Sequence, residues 1–141
     1  MDKDQPRVTG VGGIFFKSED PDRIKEWYKI NLGFDTDQWG TNFEWFQGRD
    51  AEEKGFTQWS PFAKDTQHFE PSGKEYMINY RVAHLEELME KLKQNGVTIL
   101  DEIETLEYGK FLHILDNEGN KIELWEPNDA EYEKLVQGRT K

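Results

Sequence analysis

Hydrophobic positions recur along this chain in two rhythms. In "VTGVGGIFFK", residues 8–17, β-branched and aromatic side chains surround a glycine-rich middle. That composition predicts a strand whose glycines permit close approach of a neighbour. In "SEDPDRIKEWYKINLGF" the period lengthens: Ile24, Trp27, Tyr28 and Asn31 or Leu32 follow the i, i+3, i+4, i+7/8 spacing of an amphipathic helix. Asp20 is placed to cap that helix, Pro21 suits its first turn and Gly33 its end. "FDTDQW", "NFEWFQ" and "GFTQWS" then predict three short strands separated by glycine-containing turns. Residues 61–74 have no period and carry two prolines, Pro61 and Pro71, as expected of a connector or flap.

After the connector the same order returns. "YMINYRV" predicts a strand, and Leu85, Leu88, Met89 and Leu92 form one helical stripe closed by Gly96. "VTILDEI", "KFLHILD" and "NKIELWE" predict three more strands, the last two joined by the hairpin turn "DNEGN". Residues 129–137 predict a short terminal helix. The repeat predicts an α+β fold of two tandem βαβββ modules, at about 8–60 and 75–127. The connector 61–74 joins them and a tail, 128–141, follows, all within one domain, 1–141.

Composition narrows the functions. Charged residues make up 33% and hydrophobic residues only 35%, so five Trp, nine Phe and five Tyr must supply much of the core. A net charge of −11 argues against nucleic acid or an anionic membrane surface as partner. The absence of cysteine excludes disulfides, thiolate metal sites and a cysteine nucleophile. No apolar run approaches a membrane span, and "MDKDQPR" holds no signal-peptide core, so a cytoplasmic protein is expected. One residue stands out. Glu123 sits among Ile122, Leu124 and Trp125, where a buried carboxylate requires a partner or a metal.

"FFKSEDPDRIKEWYKINLGF", "INYRVAHLEELMEKLKQNGV" and "YGKFLHILDNEGNKIELWEP" together resemble the vicinal oxygen chelate superfamily, which includes glyoxalase I, extradiol dioxygenases and bleomycin-resistance proteins. The resemblance implies paired βαβββ modules whose curved sheets enclose a cavity. It also implies that Glu123 stands where the family carries its last metal-binding carboxylate. The family's other ligand positions match Gly13, Met77 and Gln58 here. Gly13 has no donor, Met77 offers a soft thioether and Gln58 a neutral amide. This ligand count predicts no tight divalent metal, at most a weakly bound one, and shows no two-His-one-carboxylate triad.

Strand parity extends the site. Ile122 and Leu124 share one face and Glu123 the other, so Glu123 points into the cavity if the helices cover the first face. By the same parity His113 and Phe111 lie beside Glu123, and Met77, Asn79 and Arg81 oppose Ile78, Tyr80 and Val82. The expected catalytic pair is His113 and Glu123, able to exchange protons near neutral pH. Gln58, Met77, Asn79, Arg81 and Phe111 are expected to contact substrate, with Arg81 placed either for an anionic ligand or for an ion pair with Glu123. His84 reads as surface, and His68, in the connector, as a residue able to close over a ligand. Glu44 and Phe46, or else Trp45, would add a further wall. The function expected is a glyoxalase-like protein binding a small organic molecule. The alternatives are a lyase or isomerase using His113 and Glu123 with little or no metal, and a metal-dependent glyoxalase or dioxygenase. Family habit implies a homodimer.

Overall fold

A computed structural model describes residues 5–48 and 53–136. The elements run β1 (Arg7–Ser18), α1 (Pro21–Leu32), β2 (Thr41–Phe46), β3 (Lys54–Ala63), β4 (Tyr76–Ala83), α2 (Leu85–Gln94), β5 (Glu104–Leu106), β6 (Gly109–Leu115), β7 (Lys121–Pro127) and α3 (Asp129–Val136). The strands form one mixed sheet in the order β2-β3-β1-β4-β7-β6-β5. Each half pairs its first strand in parallel with its last, β1 with β3 and β4 with β7. The halves join through the antiparallel pair β1–β4. The sheet does not close into a barrel, and no described helix is long and apolar enough to cross a membrane.

Local chemistry explains the helices and turns. The Asp20 carboxylate accepts the Arg23 amide, capping α1, and Gly33 ends it at φ 71. Gly96, at φ 76, follows α2. The turn between β6 and β7 is held by Asp116, whose carboxylate accepts the amides of Glu118 and Asn120.

Both α1 and α2 cover the same face of the sheet. Under α2, Val82, Leu85, Leu88, Leu112, Ile114 and Leu124 make a core cluster. Under α1, Trp59 gathers the rings of Phe16, Tyr28 and Phe34. We call the opposite face the site face.

Four expectations need correction. Residues 34–39 form no strand: they hold only the Asp37–Gly40 bridge, because the Trp39 amide turns back onto the Asp37 carboxylate. Module one is therefore βαββ, whereas module two is βαβββ. Residues 97–103 make only the Ile99–Ile114 bridge before the chain bends at Asp101, and the regular strand starts at Glu104. In α1 the inward positions are Ile24, Lys25 and Tyr28, while Trp27 and Leu32 are exposed. Lys25 turns inward because its ammonium donates to the Gln38 carbonyl. Finally, β3 runs on to Ala63, so Pro61 and Phe62 belong to the sheet and not to the connector.

Candidate functional site

The register of the sheet sets six residues in one row. Asn42 pairs with Gln58, Gln58 with Gly13, Gly13 with Asn79, Asn79 with Glu123 and Glu123 with His113. The row crosses β2, β3, β1, β4, β7 and β6 on the site face. Arg81, Trp125 and Phe111 form the next step to one side, and Met77, fully buried, lies to the other. The register thus brings Gln58, Asn79, His113 and Glu123 onto one face.

Glu123 is only 7% exposed. It is nevertheless partnered on both oxygens. Asn79 Nδ2 donates to Oε1 at 2.6 Å, and His113 Nε2 lies 2.7 Å from Oε2. The other nitrogen of His113 lies 2.6 Å from Asp101 Oδ2, while Asp101 Oδ1 accepts the His113 backbone amide at 2.8 Å. Asp101 reaches this position because residues 98–100 run along β6, with Leu100 N donating to His113 O. Burial works against a charged His113, but the bonds and charges of Glu123 and then Asp101 outweigh it and raise its pKa above the ordinary value.

The connector adds a third group. His68 Nε2 lies 3.8 Å from Glu123 Oε2, and its ring meets that of His113 edge-on at 5.8 Å. The His68 ring stacks on Phe62, and its carbonyl accepts Lys121 Nζ at 2.6 Å. Next to it, Phe69 is fully buried and anchors the segment against Phe62. Burial lowers the pKa of His68, opposed by Glu123 and assisted by Lys121 and His113. His68, His113 and Glu123 each offer a ligand atom, all within 4.8 Å of one another. They could form a metal site. The strand pattern alone shows no such triad, because His68 comes from a segment without periodicity.

The other half of the face is covered by α3. Its Tyr132 packs on Trp125 and Phe56, and its hydroxyl donates to Asn42 Oδ1 at 2.7 Å, with Gln58 Oε1 at 3.1 Å. Gln58 also accepts from the Asn42 amide and donates to the Trp39 carbonyl. Arg81, 2% exposed, pairs with Asp129 at 2.6 Å and not with Glu123. Its guanidinium lies between the rings of Trp45 and Trp125, at 5.2 and 5.4 Å. Phe111 is stacked on Trp125. Glu44 is drawn to the edge by Lys54, so Trp45 forms the wall here. His84 is exposed at the start of α2. Asp101, Tyr132 and Asp129 escape the sequence reading, since neither parity nor period marks them, whereas Asn42 shares the parity of Glu44 and Phe46 and was open to it.

No family model matches the sequence, and no curated protein is significantly similar to it. Solved structures are similar in fold. Methylmalonyl-CoA epimerase from Mycobacterium tuberculosis is 19% identical, with a TM-score of 0.53 over 85% of this chain and 89% of that one. A variant of the Streptomyces coelicolor methylmalonyl-CoA epimerase, in complex with 2-nitronate-propionyl-CoA, is 16% identical, with a TM-score of 0.64 over 86% and 99%. A catechol 2,3-dioxygenase is 16% identical, with a TM-score of 0.51 over 87% of this chain but 41% of that one. With its two halves joined at β1–β4 and each pairing first strand to last, this chain has the vicinal oxygen chelate fold.

Proposed function

We propose that this protein binds a divalent metal through His68, His113 and Glu123 and there holds a small oxygen-bearing organic molecule, in a lyase, isomerase or related reaction. The supporting observation is the convergence of the three ligand atoms within 4.8 Å. Each of the three is already oriented by a second partner. His113 turns Nδ1 to Asp101 and so presents Nε2, the arrangement by which outer carboxylates fix metal-bound imidazoles. Asn79 holds one oxygen of Glu123 and leaves the other facing the histidines. Phe62 and Lys121 fix the His68 ring and backbone.

The positions implied by the resemblance fit less well. Gly13 has no side chain, Met77 is a buried thioether, and the Gln58 amide is committed to Asn42, Trp39 and Tyr132. The site would therefore keep only Glu123 of the family pattern. Two imidazoles and one carboxylate suit zinc, iron, nickel or manganese better than magnesium or calcium. Such an ion, when bound, supplies a Lewis acid for a ligand oxygen. The residues' own part is to fix its position and to exclude water, with Phe62 and Phe69 walling the connector side.

The test is titration of dialysed, untagged protein with zinc, nickel and manganese. Near-stoichiometric binding is expected, lost in Glu123→Ala and weakened in His68→Ala. Wild-type protein that takes up none of the three refutes the reading. One observation favours a second: His113 and Glu123, 2.7 Å apart, form a proton-exchanging pair that needs no metal. Turnover of a substrate unchanged by chelators would select that alternative.

A further inference from the structure

The half of the site face under α3 is polar in a way that docking a helix does not require. A helix is held most economically by apolar contact, and α3 has that in Val136, fully buried. Yet beneath it lie Asn42 and Arg81, both buried, and the half-buried Gln58, hydrogen-bonded to Asn42. Burying an ion pair stabilises little relative to apolar packing. The pairing is also incomplete. Arg81 Nη2 meets Asp129 Oδ2, but Arg81 Nη1 and Asp129 Oδ1 are both buried without a protein partner. A guanidinium is built to take a carboxylate through two parallel bonds, and Asp129, fixed at the start of α3, supplies one. β1 comes close here: a Cβ at Gly12 would collide with Asn79 Oδ1 and fall 2.9 Å from the Trp125 ring and 3.0 Å from Arg81 Cγ.

We infer that Asn42, Gln58, Arg81 and Trp125 form a binding site for a small phenolic carboxylate, and that α3 occupies it in this structure. Tyr132 and Asp129 imitate the two ends of such a ligand. The Tyr132 ring sits 4.9 Å from Trp125 and 5.5 Å from Phe56, its hydroxyl is bound by the Asn42–Gln58 pair, and the Asp129 carboxylate rests on Arg81. A free ligand makes the same phenol contacts and brings a carboxylate able to use both nitrogens of Arg81. Binding then requires α3 to lift, and the apparent affinity is reduced by the fraction of molecules with the site vacated. This goes beyond the metal reading and does not depend on it.

The experiment measures binding of para-hydroxyphenylacetate by calorimetry, with chelator present throughout so that metal plays no part. The double variant Asp129→Ala, Tyr132→Ala is expected to bind at least tenfold more tightly than wild type. Adding Arg81→Met to it, or using phenylacetate as the probe, should weaken binding at least tenfold. A second arm leaves the contacts of Asp129 and Tyr132 intact. Lys54→Cys and Glu133→Cys replace a surface pair joining β3 to α3 in a chain with no other cysteine. Bridging them with a short bismaleimide ties α3 down and should weaken probe binding at least tenfold relative to the unbridged protein. The inference is overturned if the folded double variant binds no better than wild type, or if bridged and unbridged proteins bind alike.

Discussion

Asp101→Asn tests whether His113 is oriented as a ligand. Asp101 bonds His113 twice, through Oδ1 to the backbone amide at 2.8 Å and through Oδ2 to Nδ1 at 2.6 Å. Asparagine keeps an oxygen for the backbone amide, so the bend that carries residue 101 should survive. It then places an NH₂ group against Nδ1. Two donors cannot face each other, so Nδ1 gives up its proton and Nε2 takes it. That is the wrong tautomer for a group meant to offer Nε2 to a metal. Loss of an outer partner of this kind costs about 10–100-fold in metal affinity, or roughly 1.4–2.8 kcal/mol at 1.4 kcal/mol per tenfold. Competition against a chromogenic chelator with zinc reads this change directly, and urea unfolding of the metal-free proteins shows whether the fold is intact. An Asp101→Asn protein that folds normally and binds zinc within about twofold of wild type would refute the assignment of His113.

Further outcomes follow from other contacts. Removing the connector ligand with His68→Ala should weaken zinc binding strongly yet leave unfolding stability nearly unchanged, since the His68 side chain is 41% exposed; calorimetry and urea titration separate the two effects. Leu112→Ala opens a cavity among Val82, Leu85 and Leu124 and should destabilise the protein by about 2–5 kcal/mol in urea unfolding. In metal-free protein, His113 has a raised folded-state pKa, so the stability it adds is complete below its ordinary value of 6.5 and is lost as pH rises through the raised one. The stability gap between wild type and His113→Gln should therefore shrink as pH rises above 6.5; a gap that widens would contradict the sign.

The legible part of this protein was whatever repeats with a period. Leu85, Leu88 and Leu92 announced α2, and the alternation of Ile122, Glu123 and Leu124 placed the carboxylate opposite the helices, because a strand's faces are fixed by parity alone. The inner stripe of α1 departs from the period for a physical reason. Trp27 and Leu32 fit the period but face solvent, and the ammonium of Lys25 donates to the Gln38 carbonyl beyond the helix as well as pairing with Asp22 within it. The strand expected at residues 34–39 failed similarly, where the Asp37 side chain turns the backbone back on itself.

The site divides along the same line. Asn79, His113 and Glu123 are held by neighbouring strands, and register brings them together without help from any loop. Asp101 and His68 arrive from segments whose course is set by tertiary contacts, the bridge at Ile99 and the burial of Phe69. A ligand count made on strands alone found one carboxylate and one imidazole; the connector supplies the second imidazole. The same reasoning bears on α3. A terminal helix was foreseeable from its composition, but not its contact with Arg81, whose expected partners were a ligand or Glu123. Glu123 was never open to it: Asn79 and His113 already occupy its oxygens, and the next step of the register carries Arg81 to Trp125. A buried guanidinium needs an anion, and with Glu123 taken the anion had to come from outside the sheet. In this structure it comes from Asp129, at the start of the helix that lies across the site face.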